Sequence, residues 1–242
     1  MTLATVLLLA LLPAAGSLFG FGLAEWRKPP PWLTGAALHM AAGIATAVAA
    51  IELVPRAQER STIWAMAIAI LVGAVVSVVL VRLSRRFQGK ARHSGSFVWG
   101  AYTAIAVDLF TDGLMTGGGG AVAAELGLLL AASQVLGNLP GGFAIAAALR
   151  SNHVARRKRL IAALAFPVAP IAGALGGFLV LEDASEALTG FVLALFAGLL
   201  LTATIEDLVP EADAPGTARK VSSPAFAAGF VLLLFMSAYL GG

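Results

Sequence analysis

The sequence predicts an all-α integral membrane protein of eight transmembrane helices in a 3+2+3 inverted-repeat bundle, and three observations predict it. Of 242 residues, 59% are hydrophobic and only 12% charged, against roughly 45–50% apolar and about 25% charged in soluble domains. Apolar stretches recur at 3–24, 33–55, 63–83, 97–117, 121–149, 160–180, 187–209 and 223–241. Each approaches the roughly 20 residues that a helix needs to cross about 30 Å of hydrocarbon. Basic residues concentrate in alternate connections between these eight spans. Almost no chain is left for a soluble module, so one transmembrane domain covering 1–242 is expected, with helices because backbone in lipid must satisfy its own hydrogen bonds.

The first span lacks a basic leader and is too long for the apolar core of a signal peptide, so it reads as a retained helix. There is no cysteine, which excludes disulfides and thiolate metal ligands. The Gly117–Gly120 run lacks the Lys-Ser/Thr that completes a phosphate loop and reads as a flexible turn after span 4.

Arg27 and Lys28 lie between spans 1 and 2, Arg82, Arg85, Arg86, Lys90 and Arg92 between 3 and 4, Arg150 and Arg156 to Arg159 between 5 and 6, and Arg219 and Lys220 between 7 and 8. The other connections hold only Arg56 and Arg60 among basic residues, with Glu182, Asp183 and Glu186. The positive-inside rule then places the chain in the cell (inner or plasma) membrane as a multi-pass protein, both termini on the non-cytoplasmic side. Because the clusters share one loop parity, topology accounts for them and no nucleic-acid partner is expected.

GIATAVAAIELVPRA from Gly43 aligns with GLLLTATIEDLVPEA from Gly198, pairing Glu52 with Asp207 and Leu53-Val54-Pro55 with Leu208-Val209-Pro210. Spans 2 and 7 run in opposite directions by the loop count, so the copies are inverted, a transporter architecture with its site near the midplane. More weakly, LFTDGLMTG from Leu109 lies on NLPGGFAIA from Asn138, matching Asp112-Gly113 with Gly141-Gly142.

A carboxylate in mid-span costs at least about 2.5–3.5 kcal/mol, so it signals function. Asp108 and Asp112 stand near the middle of span 4 with i, i+4 spacing on one face. A divalent cation supplies the charge that two such carboxylates lack. Span 5 adds the amides of Gln134 and Asn138, also i, i+4, beside Pro140 and Gly137, Gly141 and Gly142, which are expected to break or kink the helix and free carbonyls. The expected metal ligands are therefore Asp108, Asp112, Gln134 and Asn138. Glu52, Glu206 and Asp207, near span-ending prolines, and His39, two turns into span 2, are candidate gate or relay residues.

These features resemble the ZIP (Zrt/Irt-like protein) family. Its members have eight spans, external termini, an inverted three-two-three arrangement, and span 2 and 7 endings of the form E-L-x-P and E-D-L-x-P-E-A. The family carries H-N-x-x-[DE]-G on span 4 and, in many bacterial members, H-N-x-P-E-G on span 5. Here DLFTDG puts Asp108 at the His position and keeps Asp112-Gly113, while GNLPGG keeps Asn138, Pro140 and Gly142 but has Gly137 and Gly141 for His and Glu. Of the family's paired metal sites, the first then retains Asp108 and Asp112 with help from Gln134, and the second little beyond Asn138. The resemblance implies a secondary transporter taking a divalent metal (zinc, manganese or iron class) into the cytoplasm, with spans 1, 4, 5 and 6 moving against a dimerising scaffold of 2, 3, 7 and 8. It implies a homodimer, the lipid bilayer and the metal ion as partners, no cofactor beyond that ion as substrate, and no enzymatic activity. The oxygen-rich ligand set favours harder ions such as Mn²⁺, Fe²⁺ or Mg²⁺ relative to Zn²⁺. The alternatives are a divergent metal-binding protein that does not transport, suggested by the gaps on span 5, and an intramembrane aspartyl hydrolase.

Overall fold

The computed structural model describes residues 1–26, 30–92, 97–214, 216 and 218–240, excluding the side chains of 84–92, 97, 98, 101 and 240. Arg27, Lys28 and the side chains of Arg85, Arg86, Lys90 and Arg92, which the loop count uses, lie outside the described residues. Among the described residues there is no strand. Eight long helical segments follow the eight spans: α1 Leu3–Trp26, α2 Pro31–Arg60, α3 Ile63–Arg92, α4 Phe97–Val122, α5 Ala124–Ser151, α6 Arg156–Leu181, α7 Glu186–Asp213 and α8 Arg219–Leu240. Among the described residues, seven are apolar enough to cross a membrane on length and composition alone. The other is α4, whose 26 residues carry both aspartates and the glycine run. The chain is a multi-pass membrane protein.

The two segments paired in sequence share an irregularity. α2 is a π-helix over Val48–Leu53 and α7 over Thr204–Leu208, each stretch ending two residues before a proline. Pro55 and Pro210 offer no N–H and crowd the carbonyl four residues back, so the turn before each proline widens. The two helices run antiparallel. His39 Nε2 lies 3.3 Å from Asp213 Oδ1 near one end of the pair, and Arg60 Nε 3.1 Å from Glu186 Oε2 at the other.

With no hydrophobic drive between helices inside lipid, close backbone approach at small residues supplies the packing. A methyl group added at Gly16 or Gly142 would overlap backbone across α1 and α5, and one at Gly113 or Gly173 backbone across α4 and α6. Gly43 and Gly229 join α2 to α8 in the same way, and Gly73 and Gly198 join α3 to α7. This scheme maps onto itself when α1–α3 are exchanged with α6–α8 and α4 with α5. Gly43 and Gly198 are a pair in the first sequence alignment, and Gly113 and Gly142 in the second. Every such contact lies within α1, α4, α5 and α6 or within α2, α3, α7 and α8.

One sequence expectation is corrected and a second narrowed. Gly117–Gly120 form no flexible turn: α4 stays helical through them, and Gly117 packs on the Ala174 backbone. Only Ala123 separates α4 from α5. Of the break or kink expected at Pro140, the break does not occur, since α5 is helical from Ala124 to Ser151. Proline removes one hydrogen bond, and neighbouring helices hold the rest of the turn in place.

Candidate functional site

α4 and α5 pack against each other and bring the predicted residues together. Asn138 Nδ2 donates to Asp112 Oδ2 at 2.5 Å, Gln134 Nε2 donates to the Asp112 carbonyl at 3.2 Å, and Thr116 Oγ1 donates to Gln134 Oε1 at 2.9 Å. All four side chains are buried. The i, i+4 spacing on each helix makes this possible, since it stacks Asp112 with Thr116 on one face and Gln134 with Asn138 on the other. Asn138 uses its nitrogen on Asp112, which turns its amide oxygen to other donors or a cation. Gln134 spends both amide atoms inside the protein and so holds Asp112 and Thr116 in register.

A cavity of about 530 Å³ meets this cluster. Asp108, Asp112, Gln134 and Asn138 all line it, and α7 contributes Asp207 and Glu211. Asp108 is open to this space while Asp112 is buried at its wall. Among the described residues no three His, Asp or Glu side chains are grouped closely enough to hold an ion alone. The donor set for a cation is therefore mixed, carboxylates with amide and hydroxyl oxygens, as suits hard or borderline ions.

The cavity opens toward the helix ends that bear the basic loops, where Val81, Ile105, Ala148 and Glu211 line it. The opposite half is sealed. Met115, Leu126, Leu129, Leu130, Leu193, Phe196 and Leu53 form one buried apolar cluster there.

The two aligned copies both line the cavity in their first halves, through Ile44, Ala45 and Val48 and through Leu199, Leu200 and Ala203, but part company toward their prolines. In α7, Thr204, Asp207, Leu208 and Glu211 line the cavity. Their counterparts Ala49, Glu52 and Leu53 in α2 are 0%, 4% and 0% exposed, and the fourth counterpart is Arg56.

The gate candidates divide. Asp207 lines the cavity, whereas Glu206, His39 and Glu52 do not. Glu206 is on the exposed side of the α7 π turn. His39 is held by the Gly35 carbonyl at 2.8 Å from Nδ1 and by its approach to Asp213. Glu52 is buried, accepts from Arg56 Nη2 at 3.2 Å, and accepts a hydrogen bond from Ser237 of α8.

No family model matches the chain. The zinc transporter ZupT of Corynebacterium aurimucosum is 28% identical to it over 237 residues, an alignment covering 89% of this chain and 89% of the relative. The similarity to this zinc transporter therefore runs along most of the chain. Among the residues of the site, sequence reasoning missed Glu211 and Thr116. Glu211 is four residues after Asp207, a spacing that already placed it on the same face. Thr116 likewise follows Asp112 by four, but a threonine in an apolar helix commonly bonds its own backbone and gives no signal by itself.

Proposed function

We propose that this chain is a secondary transporter that carries a divalent cation of the zinc, manganese and iron class into the cytoplasm by alternating access. The cation would sit between Asp108, Asp112 and Asn138, with Gln134 as a fourth oxygen donor or as the group that positions Asp112. One observation carries the mechanism: equivalent positions of two antiparallel copies are open to the cavity in α7 and sealed in α2. Exchange of those environments would close the route on the basic-loop side and open it on the other, exposing the same site to each face in turn. The glycine contacts favour this reading, because they lock α1, α4, α5 and α6 into one set and α2, α3, α7 and α8 into another, leaving the boundary between sets without backbone overlap.

The basic loops support a cytoplasmic location for the open end, with both termini outside. A homodimer on the α2, α3, α7, α8 set fits the low burial of α3 and α8, whose apolar windows are 22% and 17% buried; cross-linking in native membranes tests it. A hydrolytic reading finds no support, since Asp108 and Asp112 share α4 and a proton-sharing dyad faces across two elements.

The test is uptake of Zn²⁺, Mn²⁺, Fe²⁺, Cd²⁺ and Mg²⁺ into liposomes containing the purified protein, beside Asp108→Ala and Asp112→Ala. Metal-selective uptake lost in either variant is expected. Uptake of no metal, with binding retained, would replace transport by the divergent metal-binding reading.

A further inference from the structure

The two copies differ in charge at one position that bears on ion entry. In the first sequence alignment Glu211 of α7 falls on Arg56 of α2. The glycine contacts extend the correspondence to α3 and α8, because Gly73 against α7 matches Gly229 against α2. Eight residues on from each glycine stand Val81 and Ser237. Val81, Asp207 and Glu211 all line the open cavity. Their counterparts Ser237, Glu52 and Arg56 form a closed cluster on the sealed side: Ser237 and Arg56 both donate to the Glu52 carboxylate, Arg56 through Nε at 3.3 Å and Nη2 at 3.2 Å. The open vestibule thus carries two carboxylates where its sealed counterpart carries an ion pair.

We propose that Arg56 lines the outer vestibule when that side opens and sets a weak affinity for cations there, so that the two faces differ in how tightly they take up a divalent ion. The proposal rests on the alternating-access reading above. Glu52 on its own would draw a cation to the outer vestibule, as Asp207 and Glu211 do on the inner side. Arg56 neutralises it, leaving the Asp108–Asp112 region as the first strong cation-attracting field met from outside. Net direction is still set by the gradient and driving force; Arg56 governs KM for entry from one face.

Zn²⁺ uptake by right-side-out and inverted membrane vesicles reads the two faces separately. Removing one positive charge about 7 Å from a divalent ion in a water-filled vestibule strengthens its binding about sevenfold. Arg56→Gln is expected to lower KM by about that factor for entry from the acidic-loop face and to leave KM from the basic-loop face within about twofold. Arg56→Lys, which keeps the charge, is expected to restore the wild-type asymmetry. Should Arg56→Gln fail to fold because Glu52 loses its partner, Glu211→Gln carries the test from the other side. Glu211 is exposed, and its loss is expected to raise KM about sevenfold at the basic-loop face alone. Equal KM shifts at both faces, or no shift at either, would overturn the role of Arg56 while Asp112→Ala still abolishes uptake. If Asp112→Ala is silent in both orientations, the transport reading fails and this proposal with it.

Discussion

The absence of native cysteine makes the sealed and open copies directly comparable by thiol labelling. Leu53→Cys and Leu208→Cys place one thiol at each of two equivalent positions. Leu53 is 0% exposed under the Met115, Leu126 and Phe196 seal, and Leu208 lines the cavity. On the proposed alternating-access reading, opening the sealed side would expose Ala49, Glu52 and Leu53 while closing the open side would cover their counterparts, so most of the area change would cancel. The two states should then differ by only a few kcal/mol, leaving the minor one about 0.1–10% populated. If Leu53→Cys reacts only from the outward-open state, a small charged thiol reagent should modify it about 10- to 1,000-fold more slowly than Leu208→Cys. The Leu53→Cys change itself removes buried methyl groups at a cost of about 2 kcal/mol, so its melting temperature must be checked alongside. Mass spectrometry of purified protein in lipid discs, sampled over time, gives both rates. Equal rates, or a Leu53→Cys thiol that never reacts while the variant still transports, would refute the exchange of environments.

Two further predictions concern the supporting frame. Arg159 donates to both oxygens of Glu25 at 2.8 Å, joining α6 to α1 beside the basic loops, and both side chains are mostly covered, at 13% and 21% accessible. A double-mutant cycle with Glu25→Gln and Arg159→Gln, read by thermal unfolding in detergent, should give a coupling of about 1–2 kcal/mol; below about 0.3 kcal/mol the bridge would be no more than a surface pair. Gly16→Leu must push α1 off the Val135 backbone and should cost about 3 kcal/mol or more, visible as lost monodisperse protein, whereas Gly22→Leu on the same helix meets nothing within 4 Å and should express normally.

The class of fold was legible because lipid leaves little freedom: a span announces its length in apolar residues, and loop charge follows from the insertion rule. The four proposed ligands were legible for a related reason, since a carboxylate or amide in mid-span is costly enough to stand out one residue at a time. What the sequence hid lies in registers that apolar residues do not mark. Gly117–Gly120 read as a turn because glycine disfavours helices in water, yet against Ala174 the lack of a side chain is what permits the contact. The π turn at Val48–Leu53 likewise leaves no mark in the sequence beyond the proline two residues on. Glu211 was hidden by its company, being one acidic residue among several near a helix end.

The glycine seams also imply two separate kinds of genetic vulnerability. Replacements at Gly43, Gly73, Gly142 or Gly173 strike main chain that has no rotamer to yield, so they should act as assembly lesions, read in protein abundance and indifferent to which ion is supplied. Where the two sets of helices meet, as at Phe196 beside Gly118, the neighbour is a side chain able to turn aside. Changes along that plane should spare abundance and alter turnover, making it the region where natural variants could retune speed without losing the protein.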